Sequence, residues 1–500
     1  MAEDTLYRLC MQTVYDLIAA KVWDSSAQNP FSKFQSKVVE DLVDFVRSQR
    51  GYSDDKNTME NLMLLFASGR IRKFDAFHWN SKKNQTWLPG ILTENFCKNL
   101  LSLSLPKHFY AIYPVKSILP FCRNLVDVHL PVFIDLEVFE NCPQLQILRF
   151  HASDDEISHY FRQKTGDLPS TIRKLQVFSV CNCQIHYAVT KDIIAKLLLN
   201  CPNLVSVGFC NSLDAFHYIR ETQDELSNPF QLRRCYWGLK YTDFIPTPDN
   251  PEFERYQSQF SHMVKVATSL CSSLEELVID VFDNNCVQHL VKLKNLKVLS
   301  ISYEDPYDDN YVPAFVSLLR EIGKQLSRLS VTAQGPVPMD VICRYCPYLV
   351  TLRILGKVTI SNRSKKCKRL PLLKSLCVDV IDKEDLKLFF LNCPNMKELF
   401  VGTAVGFVDS FCETLLKKEV YPKLEVVSIE TCSLTKRGLL KFLNGIPTLQ
   451  KVSFEILGGT REKPKDIIKQ WIKKSKTDVE VDERLYRTEF FRRETHPCVF

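Results

Sequence analysis

Glycine is scarce in this chain, at 15 in 500 residues, and no glycine-rich phosphate cradle is present. A GxxxxGK loop followed by Ser or Thr is absent, and so is GxGxxG, which leaves out two common backbone sites for nucleotide phosphates. GxSxG and HExxH are missing as well, so there is no nucleophile elbow and no two-histidine metal helix. Ten histidines are scattered along the chain and define no acid/base pair. No apolar run reaches the roughly 20 residues that a membrane-spanning helix needs, and the first residues carry no apolar signal segment. In the C-terminal PCVF, Cys498 lies one position too close to the end for a prenylation box. These absences set the expectation of a non-enzyme with no catalytic residue, no cofactor, no metal and no membrane partner.

What the chain does have is a repeat. LxxLxL, or its apolar equivalent, returns fourteen times, from Leu100/Leu103/Leu105 to Leu449/Val452/Phe454. The steps between first positions run from 20 to 30 residues, apart from one of 42 after the degenerate Leu232/Cys235/Trp237. In a short strand the alternating Leu-x-Leu residues point to one side and enter the core. Amphipathic stretches precede several strands. KDIIAKLLLN follows Thr190 as cap, with Ile193, Ile194, Leu197 and Leu198 on one stripe. A second follows Asp382, with Leu386, Phe389 and Phe390 inward, and a third follows Thr435.

One such unit cannot bury its apolar face alone, so units must stack. The expected fold is α/β, a leucine-rich-repeat solenoid with a curved parallel sheet and helices on its convex side. The sheet is parallel because each helix serves as a crossover. Residues 1–50 read as a helical adaptor-binding segment and 51–96 as a helical connector and N-terminal cap. Residues 97–458 read as the solenoid and 459–500 as a basic C-terminal cap and tail.

Seven repeats carry Cys three residues before the first triad position: Cys97, Cys122, Cys142, Cys201, Cys271, Cys346 and Cys393. They read as small buried hydrophobes where the chain leaves the helix for the strand. Repeat-locked thiols without a signal segment argue for reduced cysteines and a cytoplasmic and/or nuclear location. The sequons at Asn84 and Asn362 then carry no weight. Cys343-x-x-Cys346 shares its second Cys with the repeat and reads as core rather than zinc ligand. Cys181, Cys183 and His186 form a candidate ligand trio that a strand-to-helix turn explains as well. The layout over residues 97–455 resembles the cysteine-containing repeats of F-box leucine-rich-repeat proteins.

Residues 1–50 lie outside the repeat. TLYRLCMQTVYDLIAA reads as a helix capped by Thr5, without Gly or Pro. Leu6, Cys10, Val14 and Leu17 fall on one stripe, with Leu9, Thr13 and Ile18 beside it. The letters fit [Ser/Thr/Pro]-Leu-x-x-x-Cys-x-x-x-aliphatic, so the segment resembles the BC box, the Elongin C-binding helix of VHL-box and SOCS-box proteins. The resemblance implies that Leu6 anchors in an apolar pocket and Cys10 packs beside it, where a larger side chain would clash. Val14 is the flank, and Leu9 and Leu17 complete the adaptor-binding set. The physics is helix-in-groove recognition.

Those families carry a second element, a cullin box, for which two stretches compete. Residues 34–42 have Gln35 where the family has Pro. Residues 88–96 match letter for letter, but Leu92 and Phe96 should already be core. The first stretch is favoured, which makes Phe34, Val38 and Leu42 cullin-facing. The whole layout is similar to the VHL-box leucine-rich-repeat substrate receptors of cullin-2 ubiquitin ligases, the Zyg-eleven and Zer-one kind, without their armadillo-like half. The implied function is substrate recognition in a cullin-RING ubiquitin ligase, with Elongin B/C and cullin-2 as partners. FQSKVVEDLVDFV also resembles the opening helix of an F-box, which would make the partners Skp1 and cullin-1. A leucine-rich-repeat scaffold outside any ligase is the remaining alternative.

A substrate would sit on the repeats. Among residues between the last two triad positions, Arg149, Tyr236, Arg353 and Phe400 are the anchor types. No sign of charge dominates that face, so it is not a nucleic-acid groove, and nucleic acid is not expected as a partner. Insertions at 151–169, 241–260 and 302–311 read as surface loops, and EDPYDDN lacks the Gly and terminal Glu of an EF-hand. The net charge is +7. Residues 461–476 hold seven Lys/Arg against Glu462 and Asp466, around an apolar stripe of Ile467, Ile468, Trp471 and Ile472. That stretch reads as a polar cap on the last repeat, with a basic partner-binding or nucleic-acid surface as the alternative. RSKKCKR at 363–369 reads as a solvated loop.

Overall fold

The computed structural model describes residues 2–23, 26, 28–49, 56–76, 86–106, 112–151, 154–163, 167–181, 191–209, 212–223, 230–238, 251–303, 311–360, 370–404, 406–417, 423–456, 463–475, 477 and 479–481. The chain divides into two compact units, Met1–Phe209 and Cys210–Val499. Both are built from the same repeat.

The first unit opens with helices α1 (Ala2–Ala19), α2 (Ser36–Gln49) and α3 (Lys56–Phe66). Six strands follow: β1 (Lys73–Asp75), β2 (Ser102–Ser104), β3 (Asp127–Leu130), β4 (Ile147–His151), β5 (Val177–Cys181) and β6 (Ser206–Gly208). They pair in parallel and in chain order. The middle triad residues are in register across the sheet, Leu103 to Val128 to Leu148 to Phe178 to Val207. All five are buried. Register is this strict because a one-residue slip would turn every apolar side chain to the other face.

The sheet starts one strand before the first triad. Phe74 on β1 pairs with Leu103 and is buried, with Ile71 and Ala76 buried either side of it. Phe66 of α3, Phe74 and Phe96 meet edge to face at 5.3–6.2 Å and join the helical segment to the sheet.

The second unit carries β7 (Arg234–Trp237), β8 (Glu276–Val281), β9 (Val298–Tyr303), β10 (Arg328–Ala333), β11 (Val337–Pro338), β12 (Thr351–Thr359), β13 (Ser375–Val380), β14 (Glu398–Ala404), β15 (Val426–Cys432), β16 (Lys451–Ile456) and β17 (Glu480–Val481). Its sheet is again parallel, with the short β11 set aside against the end of β12. Cys235 of the degenerate triad aligns with Leu277, and the row continues through Leu299, Leu329, Leu352, Leu376, Leu399, Val427 and Val452 to Val481. β17 is a strand beyond the last triad. Gly356 breaks β12 with a register shift. Its φ of 136° and the carbonyl of Ala333 against it leave no room for a side chain.

The cysteine turns are alike. The carbonyl of each repeat-locked Cys accepts the N–H of the first triad residue, from Leu100 on Cys97 at 3.1 Å to Met396 on Cys393 at 3.3 Å. All seven thiols are buried. Burial pushes those of Cys142, Cys201 and Cys346 up to about 12, which leaves them protonated and inert at neutral pH. Beside the turn, one carbonyl per repeat takes two successive amides of the next: Leu101 from Val126 and Asp127, Glu275 from Lys297 and Val298.

Several local expectations change. Thr5 is not a cap, because α1 starts at Ala2. Asp382 occupies the cap position but makes no capping bond, whereas Thr435 accepts the Gly438 N–H at 3.1 Å. The stretches read as insertions contain repeat helices. Asp154–Gln163 buries Ile157, Tyr160 and Phe161, and Pro251–Leu270 buries Phe260, Met263, Val264 and Ala267. Thr190, Cys183, His186, residues 363–369 and Cys498 lie outside the described residues.

Candidate functional site

α1 has two apolar faces. Met11 and Ile18 form one and are buried, at 5% and 3% exposure. Tyr15 meets Phe45 of α2 edge to face at 6.2 Å. Tyr7 Oη donates to Asp41 Oδ2 at 2.8 Å, and Lys37 Nζ donates to Asp41 Oδ1 at 2.6 Å. At the far end, Lys21 Nζ pairs with Glu60 of α3 at 3.1 Å. Lys21 itself has φ 57° and closes the helix, with its N–H on Ile18 O and the Val22 N–H on Leu17 O. That double bond is the Schellman end, here without its usual Gly.

The other face of α1 has no cover among the described residues. Leu6 is 65% exposed, Leu9 59% and Leu17 38%, and Cys10 is exposed between them. Val14 is half-buried at the border. At 100° per residue Leu9, Thr13, Leu6, Leu17, Cys10 and Val14 fall on one stripe. The expected adaptor residues thus lie together on the outer side of a docked helix. Ile18 belongs to the inner face. Burying a leucine of this kind is worth about 1.5–3 kcal/mol.

The cullin-facing set does not hold together. Phe34 is 45% exposed and Val38 half-buried, but Leu42 is 1% exposed. Leu42 lines the inner face of α2 with Val39, Val43 and Val46, at i, i+3, i+4 and i+7, and cannot meet a partner there. Residues Leu88, Ile91, Leu92 and Phe96 of the competing stretch are all core.

The substrate candidates divide likewise. Arg149 is partly buried and its guanidinium holds Asp127 Oδ1 at 3.0 Å. Burial pushes the Asp127 carboxyl up, and Arg149 opposes the shift. Tyr236, Arg353 and Phe400 are 8%, 3% and 3% exposed and are corrected to buried positions. Tyr236 lies over Gly238, where a side chain would strike its ring and the Asp280 carboxylate. Phe400 packs with Cys377 and half-buried Val426 on neighbouring strands. Neighbouring strands stand about 4.8 Å apart, close enough for a large residue to be covered by its neighbours.

One outward position per strand was missed. The residue before the middle triad residue points to the same side as the residue after it. On this row stand half-buried Asp127, Glu276, Arg328, Glu398 and Lys451. Period-two alternation alone would have found them.

Among the described residues no group of three or more His, Cys, Asp or Glu could hold a metal ion, and no helix is long and apolar enough to cross a membrane. No protein-family model matches the chain, and no curated protein matches it in sequence. Similar solved structures include the yeast Rad7–Elc1 complex, at 13% identity and a TM-score of 0.35 over 96% of this chain and 98% of that one. A leucine-rich-repeat protein of Leptospira interrogans follows at 12% and 0.27, over 86% and 92%. A Bacteroides fragilis protein is 18% identical at 0.26, over 38% of this chain and 66% of its own length. Scores this low carry no argument about function. The leucine-rich-repeat fold stands on the strand register and the cysteine turns described above.

Proposed function

We propose that the chain is a protein-interaction scaffold whose α1 docks an Elongin C-type adaptor, making it a substrate receptor of a cullin-RING ubiquitin ligase. The observation that carries this reading is the outer face of α1. Leu6, Leu9 and Leu17 are exposed on a helix whose opposite face is already docked. Cys10 sits among them with the spacing the BC box demands. A helix that only capped the repeats would need one apolar face; this one has two. Apolar anchors at i, i+3, i+4 and i+11 suit a groove on a partner. Cullin contact rests on less, since Leu42 is core and only Phe34 and Val38 are accessible. The substrate sits on an outward sheet face of the repeats; half-buried Arg149 is the candidate on the first unit and half-buried Arg328 and Glu398 are candidates on the second.

The test is a pull-down of the full chain against purified Elongin B/C and, separately, purified Skp1. Elongin binding that is lost in Leu6→Ala/Cys10→Phe supports the reading. Skp1 binding indifferent to those changes moves the chain to the F-box class. Binding to neither leaves a scaffold and ends the receptor proposal.

A further inference from the structure

The last two helices among the described residues of the second unit, Lys436–Asn444 and Pro464–Ser475, bring together seven cations and a single acid, Asp466. The whole chain carries only +7, so most of its excess positive charge lies here. The helices are neighbours: Trp471 Nε1 donates to Asn444 Oδ1 at 2.8 Å. Ile467, Ile468 and Trp471 face inward and are buried, so the apolar side of the last helix is used up in closing the repeat. Its outer side carries Lys465, Lys469 and Lys473, four residues apart and so about 6 Å apart along the axis. Lys474 follows about 100° further round, exposed on the flank next to Ile467.

Several cations elsewhere in the repeats are paired with acids on the neighbouring repeat. Lys297 pairs with Glu275 at 2.7 Å, Lys397 with Glu425 at 2.6 Å and Lys451 with Glu480 at 3.3 Å. Lys441 holds Glu413 at 2.7 Å. Lys441, and then Lys417 and Arg437, hold the Glu413 carboxyl below its usual range. Arg437, Lys469, Lys473 and Lys474 are exposed and make no ion pair among the described residues. A cap needs polarity, and mixed charge supplies that equally well. Charge of one sign adds self-repulsion, which an anionic partner relieves.

We propose that this pair of helices binds the phosphate backbone of duplex nucleic acid without reading its sequence. Among the described residues the face contains no large exposed hydrophobic residue. That removes the anchors a folded protein partner would use and the apolar side chains a membrane surface would take up. With Trp471 turned inward, no exposed aromatic remains among the described residues of the face on which the bases of a single strand could stack. What is left is a lysine-dominated array. Lysine meets phosphate as a point charge, and phosphate contacts position a duplex without specifying bases. Duplex binding departs from the expectation of no nucleic-acid partner and takes up the alternative reading of residues 461–476.

The experiment is fluorescence anisotropy of the full chain with a labelled random-sequence duplex of about 20 base pairs, enough to span the array at 3.4 Å per pair. Binding should weaken by about a hundredfold between roughly 50 and 200 mM salt, as expected for four or more phosphate contacts. Lys469→Glu/Lys473→Glu/Lys474→Glu should weaken it about tenfold or more at low salt. The control Lys292→Glu/Lys294→Glu/Lys324→Glu carries the same charge change on other exposed lysines of the unit and should bind within about twofold of the unaltered chain. No duplex binding at low salt would overturn the proposal. So would an equal loss in the control, tighter binding to a single strand, or binding to vesicles rich in anionic lipid in place of the duplex.

Discussion

Leu6 on α1 and Phe400 on β14 are both large apolar residues at positions that invite a partner, yet Leu6 is 65% exposed and Phe400 3%. The difference lies in the geometry of the elements. A helix turns its side chains through a full circle, so one helix can dock with Met11 and Ile18 and still hold Leu6, Leu9 and Cys10 outward. A strand in a parallel sheet has neighbours on both sides. Phe400 therefore finds Cys377 on one neighbour and Val426 on the other, and becomes part of a small cluster. Similar residue chemistry is left accessible in the first place and serves stability in the second.

The sharpest way to break this contrast is by truncation. Phe400→Ala should cost about 3 kcal/mol of unfolding free energy in a denaturant titration, while Leu6→Ala should stay within about 0.5 kcal/mol. Equal losses would mean that α1 is covered after all, or that the Phe400 cluster is loose. Next in size is binding. Leu6→Ala should weaken Elongin B/C by about 2 kcal/mol, close to thirtyfold, in calorimetry. An unchanged affinity would assign the exposed face to something else.

Smaller effects test how α1 is held. Tyr7→Phe removes the hydrogen bond to Asp41 and should cost about 0.5–1 kcal/mol, read as faster amide exchange confined to α1. Burial and the Asp41 carboxylate raise the Tyr7 hydroxyl to about 12. The bond is therefore complete below the ordinary tyrosine value near 10 and is lost as pH rises through about 12. Asp41 moves the other way: burial raises it, but Lys37 and Tyr7 together outweigh burial and leave it lowered. Its contribution is present above the ordinary aspartate value and disappears as pH falls through the lowered one. Amide protection along α1, taken against the free-chain exchange rate at the same pH, should thus be steady near neutrality and fall in acid below the aspartate range and in alkali near 12. Asp41→Asn should abolish that acid step, and a step that persists would place the tether elsewhere.

Much of the architecture was legible in the chain itself. The triads located the register rows, and the seven cysteines marked the turns that the structure shows hydrogen-bonded alike. The strands at either end were not read, because β1 and β17 carry weaker apolar patterns. The insertions were read too loosely, since their Pro, acidic and aromatic content hid the helical periodicity of residues 154–163 and 251–270. The outer stripe of α1 was visible from spacing. Its inner face was not, because Ile18 lies close to the stripe on the helix circle and only contact with the rest of the unit assigns it inward.

Sequence by itself determined which residues enter the shared core, because strand and helix periods are local and the repeat multiplies the signal. Tertiary structure alone decided which outward residues meet solvent. Leu42 turned inward against the helical segment, Arg353 and Phe400 were covered, and two cationic helices distant from each other in sequence came to lie side by side. Exposure depends on what the neighbouring element brings, and that element lies twenty or more residues away in the chain.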